Sequence, residues 1–170
     1  MSGVNPAVGG NMTIACRAAS VAVLLFLGFA IPVGANDTIL QVTGNVTGTR
    51  INLTLGQIEA MGTASIVTAT PWHDGPTTFE GVPMARFLEA VGAQGTTAYV
   101  QALNDFSIDI PLSDLIRFNA IMAYKTNGNY MDIVDKGPLF IVFPYDEVEE
   151  VRNALFYARS VWQIRSIEIE

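Results

Sequence analysis

A single cysteine, Cys16, and a single histidine, His73, are all that the 170 residues offer of thiolate and imidazole. A zinc or iron–sulfur site has no donors here, and what remains for a metal is carboxylate oxygen, suited at best to a hard cation. No spaced Asp-x-Asp-x-Asn loop organises those carboxylates, so no metal ligand is assigned. Nucleophilic catalysis fares no better. His73 is the sole base for a triad, and no serine stands in a Gly-x-Ser-x-Gly context. Neither a P-loop nor a dinucleotide-binding glycine pattern occurs. Basic residues are also scarce, nine Lys and Arg against sixteen Asp and Glu, for a net charge of −7. Phosphate backbones and anionic lipid both call for a basic face, which argues against either as a partner.

The first residues read as an export leader. Arg17 precedes an apolar run over residues 21–30, and the small residues Val33, Gly34 and Ala35 make an A-x-A-like cleavage site. The competing reading is a retained anchor. A spanning helix needs about 20 apolar residues in a row, and this run is shorter. Residues 1–35 are therefore expected to be a signal peptide removed before Asn36, which takes Cys16 and Arg17 away. The remainder, 36–170, is enough for one domain with a core and not for two. It has no disulfide, and an exported, periplasmic location is expected. Asn-x-Ser/Thr triplets at Asn11, Asn36, Asn45 and Asn52 read first as Asn/Thr-rich composition and only secondarily as glycosylation acceptors.

Past the leader, strands predominate. Residues 38–43 alternate apolar and polar, and a turn at Gly44-Asn45 leads to a second strand at 51–55. Thr54 is placed to cap a short helix with Leu55, Ile58 and Met61 inward and Gly62 at its end. Residues 64–69 form a third strand. Pro83 suits the first turn of a helix whose Met84, Phe87, Leu88 and Val91 make one apolar face, closed by Gly92. Strands follow at 97–102, 106–110 and 120–124, with a helical turn at 111–116 and a tight turn at Asn127-Gly128. Residues 139–143 are the most apolar strand and are expected at the sheet centre. A helical pattern through Val151, Leu155 and Phe156 precedes a closing strand over 161–169. The expectation is one α+β domain of mixed sheets and short helices.

The stretch 68–92 organises the rest. It leaves the third strand, crosses a polar loop holding Trp72, His73 and Asp74, and re-enters an extended turn at Phe79-Glu80-Gly81 before the helix. Loops on rigid elements are where binding groups tend to sit. The residue types suit a flat polar heterocycle: an aromatic face stacks the ring, and a carboxylate pairs with adjacent ring N–H donors. Trp72, Trp162, Tyr124 and Tyr145 are the stacking candidates. Asp74 and Asp105 are the carboxylate candidates, with Asn104 and His73 as further polar contacts. Each has a plain structural alternative: core for the aromatics, turn closure for Asp74 and Asp105, solvation for His73. No catalytic residue is assigned.

Several segments, in order, resemble the oxidoreductase molybdopterin-binding domain, the fold of sulfite oxidase and its bacterial relatives. Phe79-Glu-Gly-Val-Pro-Met-Ala-Arg-Phe-Leu-Glu-Ala-Val-Gly92 is similar to that family's Trp/Phe-x-Gly-Val-x-Leu-x-x-Leu-Leu segment. Ile110-Pro-Leu-Ser-Asp114 and Met122-Ala-Tyr-Lys-Thr-Asn-Gly-Asn129 follow. Lys136-Gly-Pro-Leu-Phe-Ile-Val-Phe-Pro144 resembles Gly-x-Pro-Leu-Arg-Leu-Val-Val-Pro, and Arg159-Ser-Val-Trp-Gln-Ile-Arg-Ser-Ile167 resembles a Lys-x-Ile-Lys-x-Ile ending.

The enzymes of that family ligate molybdenum through a cysteine just upstream of Phe-x-Gly-Val, where residues 67–70 here are Val, Thr, Ala and Thr. Of the basic residues that hold the cofactor phosphate, Arg159 remains, and Trp162 stands in place of a usual lysine. With the export signal and the Thr-Pro-Trp loop, this pattern resembles a subgroup of short periplasmic pterin-binding proteins. The resemblance implies a sensor of reduced pterin rather than of molybdopterin. It also implies a partner, the periplasmic domain of a membrane-bound regulator of cyclic di-GMP turnover. The alternative it leaves open is a molybdenum-cofactor oxidoreductase, or a cofactor-binding subunit, without a cysteine ligand and with Arg159 on the phosphate.

Overall fold

The computed structural model describes residues 37–170. The expected leader, with Asn11, Cys16 and Arg17, lies outside the described residues, as does Asn36.

The chain enters through an antiparallel pair, β1 (Thr38–Val46) and β2 (Gly48–Thr54). Thr54 then starts α1 (Leu55–Glu59) with a full capping box: Gln57 N–H donates to Thr54 Oγ1 at 3.3 Å, and Thr54 N–H donates to Gln57 Oε1 at 2.9 Å. β3 (Ala64–Ala69) and β4 (Pro76–Pro83) form a hairpin, and α2 (Met84–Ala90) leaves directly from Pro83. β5 (Thr97–Ala102) and β6 (Ser107–Pro111) pair, and α3 (Leu112–Arg117) returns the chain to β7 (Ile121–Thr126). Asn127 and Gly128, at φ 49° and 81°, take the two positive-φ positions of a tight turn into β8 (Asn129–Tyr130). The remaining elements are β9 (Phe140–Val142), α4 (Ala154–Arg159) and β10 (Ile164–Ile169).

These strands make two sheets. The first runs β2-β1-β10-β5-β6, with β1 and β10 parallel and the other neighbours antiparallel. The second runs β3-β4-β7-β8, with β9 also on β7. Alternation along β7 divides the second sheet's two faces. Met122 and Tyr124 join the larger core with Leu40, Val42, Phe87, Val100 and Ile167, whereas Ile121 and Ala123 join a smaller cluster with Ile66, Phe79 and Phe140. Trp72 and Trp162 pack against that smaller cluster.

Three segments differ from the expectation. Residues 76–83 are a strand, not a polar loop ending in an extended turn. Pro76 and Pro83 bound it and Gly81 interrupts its alternation, so it reads as broken. Yet a β-carbon on Gly81 would stand 2.2 Å from the Met122 carbonyl oxygen, and only glycine permits the register shift that β4 makes there against β7. The apolar run 139–143 is not a central strand. It shortens to β9, which pairs in a ladder with β7 alone, while its other side receives residues 161–162 through the Ile141 N–H to Val161 C=O bond of 2.9 Å and a bridge between Phe140 and Trp162. The helical pattern after Pro144 resolves into a 3₁₀ turn, Glu149–Val151, and then α4, capped by Asn153, whose Oδ1 accepts from the N–H groups of Leu155 and Phe156.

Candidate ligand cavity

The loop between β3 and β4 is folded by its own threonine. Thr70 Oγ1 accepts from Trp72 N–H at 3.3 Å and lies 2.8 Å from His73 Nδ1, which fixes the turn and sends Trp72 toward the seam between the sheets. There the indole meets Trp162 edge-on, with ring centroids 5.3 Å apart, and lies 5.8 Å from Phe140 and 6.1 Å from Tyr157. Trp162 is placed by its bridge to Phe140, immediately before β10.

Beside this aromatic corner opens a cavity of about 330 Å³. Its walls include Trp72, Trp162, Tyr157, Phe106, Asn104 and Ser160. None of its lining residues carries a charge. Asn104 sits in the β5–β6 turn, where its Oδ1 accepts from Phe106 N–H at 3.1 Å. That bond takes one lone pair of Oδ1, and the amide N–H₂ makes no hydrogen bond among the described residues. An aromatic box with a few placed polar groups is the usual build of a small-molecule site, and this volume falls at the small end of the usual range of about 300–1,000 Å³.

Of the residues singled out in the sequence, Trp72, Trp162 and Asn104 meet at the cavity. His73 lies behind the loop, its ring 5.2 Å from Phe79 and 6.3 Å from Phe140. Burial, helped by the positive charge of Lys136, lowers its pKa and holds the imidazole neutral. Asp74 is exposed on the loop and does not line the cavity. Asp105, at φ 66° in the β5–β6 turn, pairs instead with Arg165 at 2.8 Å. Tyr145 stands behind the wall: its hydroxyl bonds Ser160 and its ring packs 5.1 Å from Tyr157. Burial pushes its pKa up to about 12. Tyr124 faces the larger core on the other side of the sheet, with its hydroxyl 2.9 Å from Thr63 Oγ1. Arg159 points away from the cavity that its neighbours Ala158 and Ser160 line, and its Nη1 donates to Asp114 at 2.6 Å.

No family model matches the chain, and no curated protein matches it in sequence. Among solved structures, the crystal structure of the sulfane dehydrogenase SoxCD from Paracoccus pantotrophus superposes with a TM-score of 0.58 at 16% identity. The match covers 82% of this chain and 40% of that one. The likeness is one of fold. The chain has the sulfite-oxidase-type α+β architecture, with two sheets and short helices, and spans less than half the length of the dehydrogenase chain it matches.

Tyr157, Phe106 and Ser160 were not singled out from the sequence. Phe156 faces the core, which turns Tyr157 of the same short helix toward the seam. Phe106 carries the stronger signal, an aromatic directly after the Asn104-Asp105 turn, and it is 45% exposed.

Proposed function

We propose that this protein is a non-catalytic pterin-binding sensor, exported to the periplasm, that acts on a membrane-bound signalling partner. The observation that carries the ligand half is the uncharged cavity where Trp72, Trp162 and Tyr157 meet with Asn104 in the wall. A fused heteroaromatic ring stacks on indole, and its carbonyl accepts from the Asn104 amide. The export, the partner and its link to cyclic di-GMP turnover are supported by the sequence resemblance.

The residues fit a bare pterin better than a phosphorylated, metal-bearing molybdopterin. Cys16 is the only cysteine in the chain, and it lies in the segment read as a leader. Arg159 and Arg165, the cations nearest the cavity in sequence, are engaged by Asp114 and Asp105. One observation favours the oxidoreductase reading: the buried Nε of Arg159 has no hydrogen-bond partner among the described residues, as a phosphate-holding guanidinium would require. That side chain is turned from the cavity, so the reading needs a second pocket for the phosphate.

The two separate in one experiment. Purified exported protein is denatured, and its supernatant is assayed by fluorescence for pterin and by mass spectrometry for molybdenum. The sensor reading expects pterin without molybdenum, or binding of an added reduced pterin to the emptied protein. Stoichiometric molybdenum overturns it.

A further inference from the structure

β3 forms one edge of the second sheet, and that edge is only partly closed. β4 bonds toward β7 through Thr78, whose carbonyl accepts from Asn127 N–H at 2.8 Å and whose N–H donates to Asn127 Oδ1 at 3.1 Å. Thr77 and Phe79 therefore turn toward β3, where they stand opposite Thr68 and Ile66. By alternation, the N–H and C=O groups of Ser65, Val67 and Ala69 point out of the sheet. Ala69 is closed off, since its N–H donates to Asp146 Oδ2 at 2.7 Å. Ser65 and Val67 have no backbone partner on that side among the described residues, and Val67 is 55% exposed. Folded proteins usually blunt such an edge along its length. Here the blunting stops after one amide.

Beside the open part lies a recess of about 260 Å³, lined by Ser65 and Ile66 of the strand with Ala120, Ile121 and Pro144. Its only charged lining residue is Glu147. We infer that the β3 edge and this recess are a docking site for an extended, basic peptide segment of a partner protein. The segment adds a strand at Ser65 and Val67, seats one apolar side chain in the recess, and sets a Lys or Arg against Glu147. Backbone bonds supply affinity in this mode, and the pocket and the charge supply selectivity. Charge decides the occupant: a second copy of this chain, with its own Asp146 and Glu147 and a net charge of −7, would bring like charges together. The inference stands apart from the ligand reading, because no residue of this edge lines the aromatic cavity.

The test titrates a short synthetic peptide of alternating Val and Thr with flanking lysines into the isotope-labelled protein, followed by amide-resolved NMR. Shifts are expected at the Ser65 and Val67 amides. Val67→Pro removes only an outward N–H, which an edge strand tolerates, and should weaken the peptide by about tenfold or more. Glu147→Lys should reverse the preference from lysine-flanked to glutamate-flanked peptide, which tests the site even if the proline variant misfolds. Absence of binding, shifts confined to the Trp72 loop, affinity unchanged by both variants, or self-association of the free protein that Val67→Pro abolishes would each overturn the inference.

Discussion

Trp72→Ala tests the cavity most directly. Trp72 is half-buried and touches Trp162, Phe140 and Tyr157 edge-on, so truncation removes both a cavity wall and part of the smaller cluster. Fully buried Trp→Ala changes cost about 3–5 kcal/mol, and partial exposure places this one at about 2–3 kcal/mol of folding stability. The binding loss is a separate quantity. An aromatic platform under a flat heterocycle is worth about 1–3 kcal/mol by alanine substitution, or about 5- to 150-fold in Kd. Isothermal titration of a reduced pterin into the emptied protein reads that loss, and urea denaturation reads the first. Trp72→Phe keeps a ring against Trp162 and should retain the fold and most of the affinity. A native affinity in a folded Trp72→Ala protein refutes the stacking argument. So does a Trp72→Phe variant as weak as the alanine one while remaining fully folded.

Three further outcomes follow from the packing. Tyr145 has its pKa raised from 10.0 to about 12, chiefly by burial, so it contributes stability that is complete below pH 10 and lost as pH rises through about 12. Tyr145→Phe should flatten that alkaline limb in thermal melts across the same window and, by deleting the bond to Ser160, cost about 1 kcal/mol at neutral pH. Asp114→Asn removes the compensating charge from an Arg159 side chain that is 12% exposed, and should cost about 1–3 kcal/mol in urea denaturation while leaving pterin affinity unchanged. A matching loss of affinity would place Arg159 in the ligand site after all. Gly81→Ala drives a methyl into the Met122 carbonyl and should cost about 3 kcal/mol or more, read as a fall in Tm; a native Tm would show that the β4 register is not fixed by that approach.

Local chemistry was legible where one residue decides one bond. Thr54 with Gln57 three positions on marks the start of α1, and the strand expected over 64–69 coincides with β3. β4 was hidden because its defining residues are strand breakers elsewhere. Pro76 begins the strand, where a missing N–H does no harm, and Gly81 allows a close crossing that a periodicity count registers as a gap. The edge position of β9 was hidden for the opposite reason. Full burial makes residues 140–142 as apolar as a central strand, but their cover is the chain at 161–162 rather than a second ladder.

The site divides in the same way. Trp72 stands out as an indole in a polar loop, Trp162 as an aromatic in the closing strand expected over 161–169, which begins only at Ile164, and Asn104 as a turn residue. Tyr145 and Tyr124 are the right residue types on faces that only the tertiary packing determines. Tyr157 depends on both, because its direction is set by how α4 meets a seam built from strands distant in sequence.

β10 follows every other strand of the described residues yet lies between β1 and β5 in the first sheet. A nascent chain that has not yet delivered residues 164–169 therefore holds two hairpins, β1–β2 and β5–β6, with no strand to join them and with apolar faces uncovered. Closure of that sheet is a long-range event that local pairing cannot anticipate, the kind that slows folding and lengthens the time spent unfolded. The strand that joins the two hairpins is thus made only after both of them.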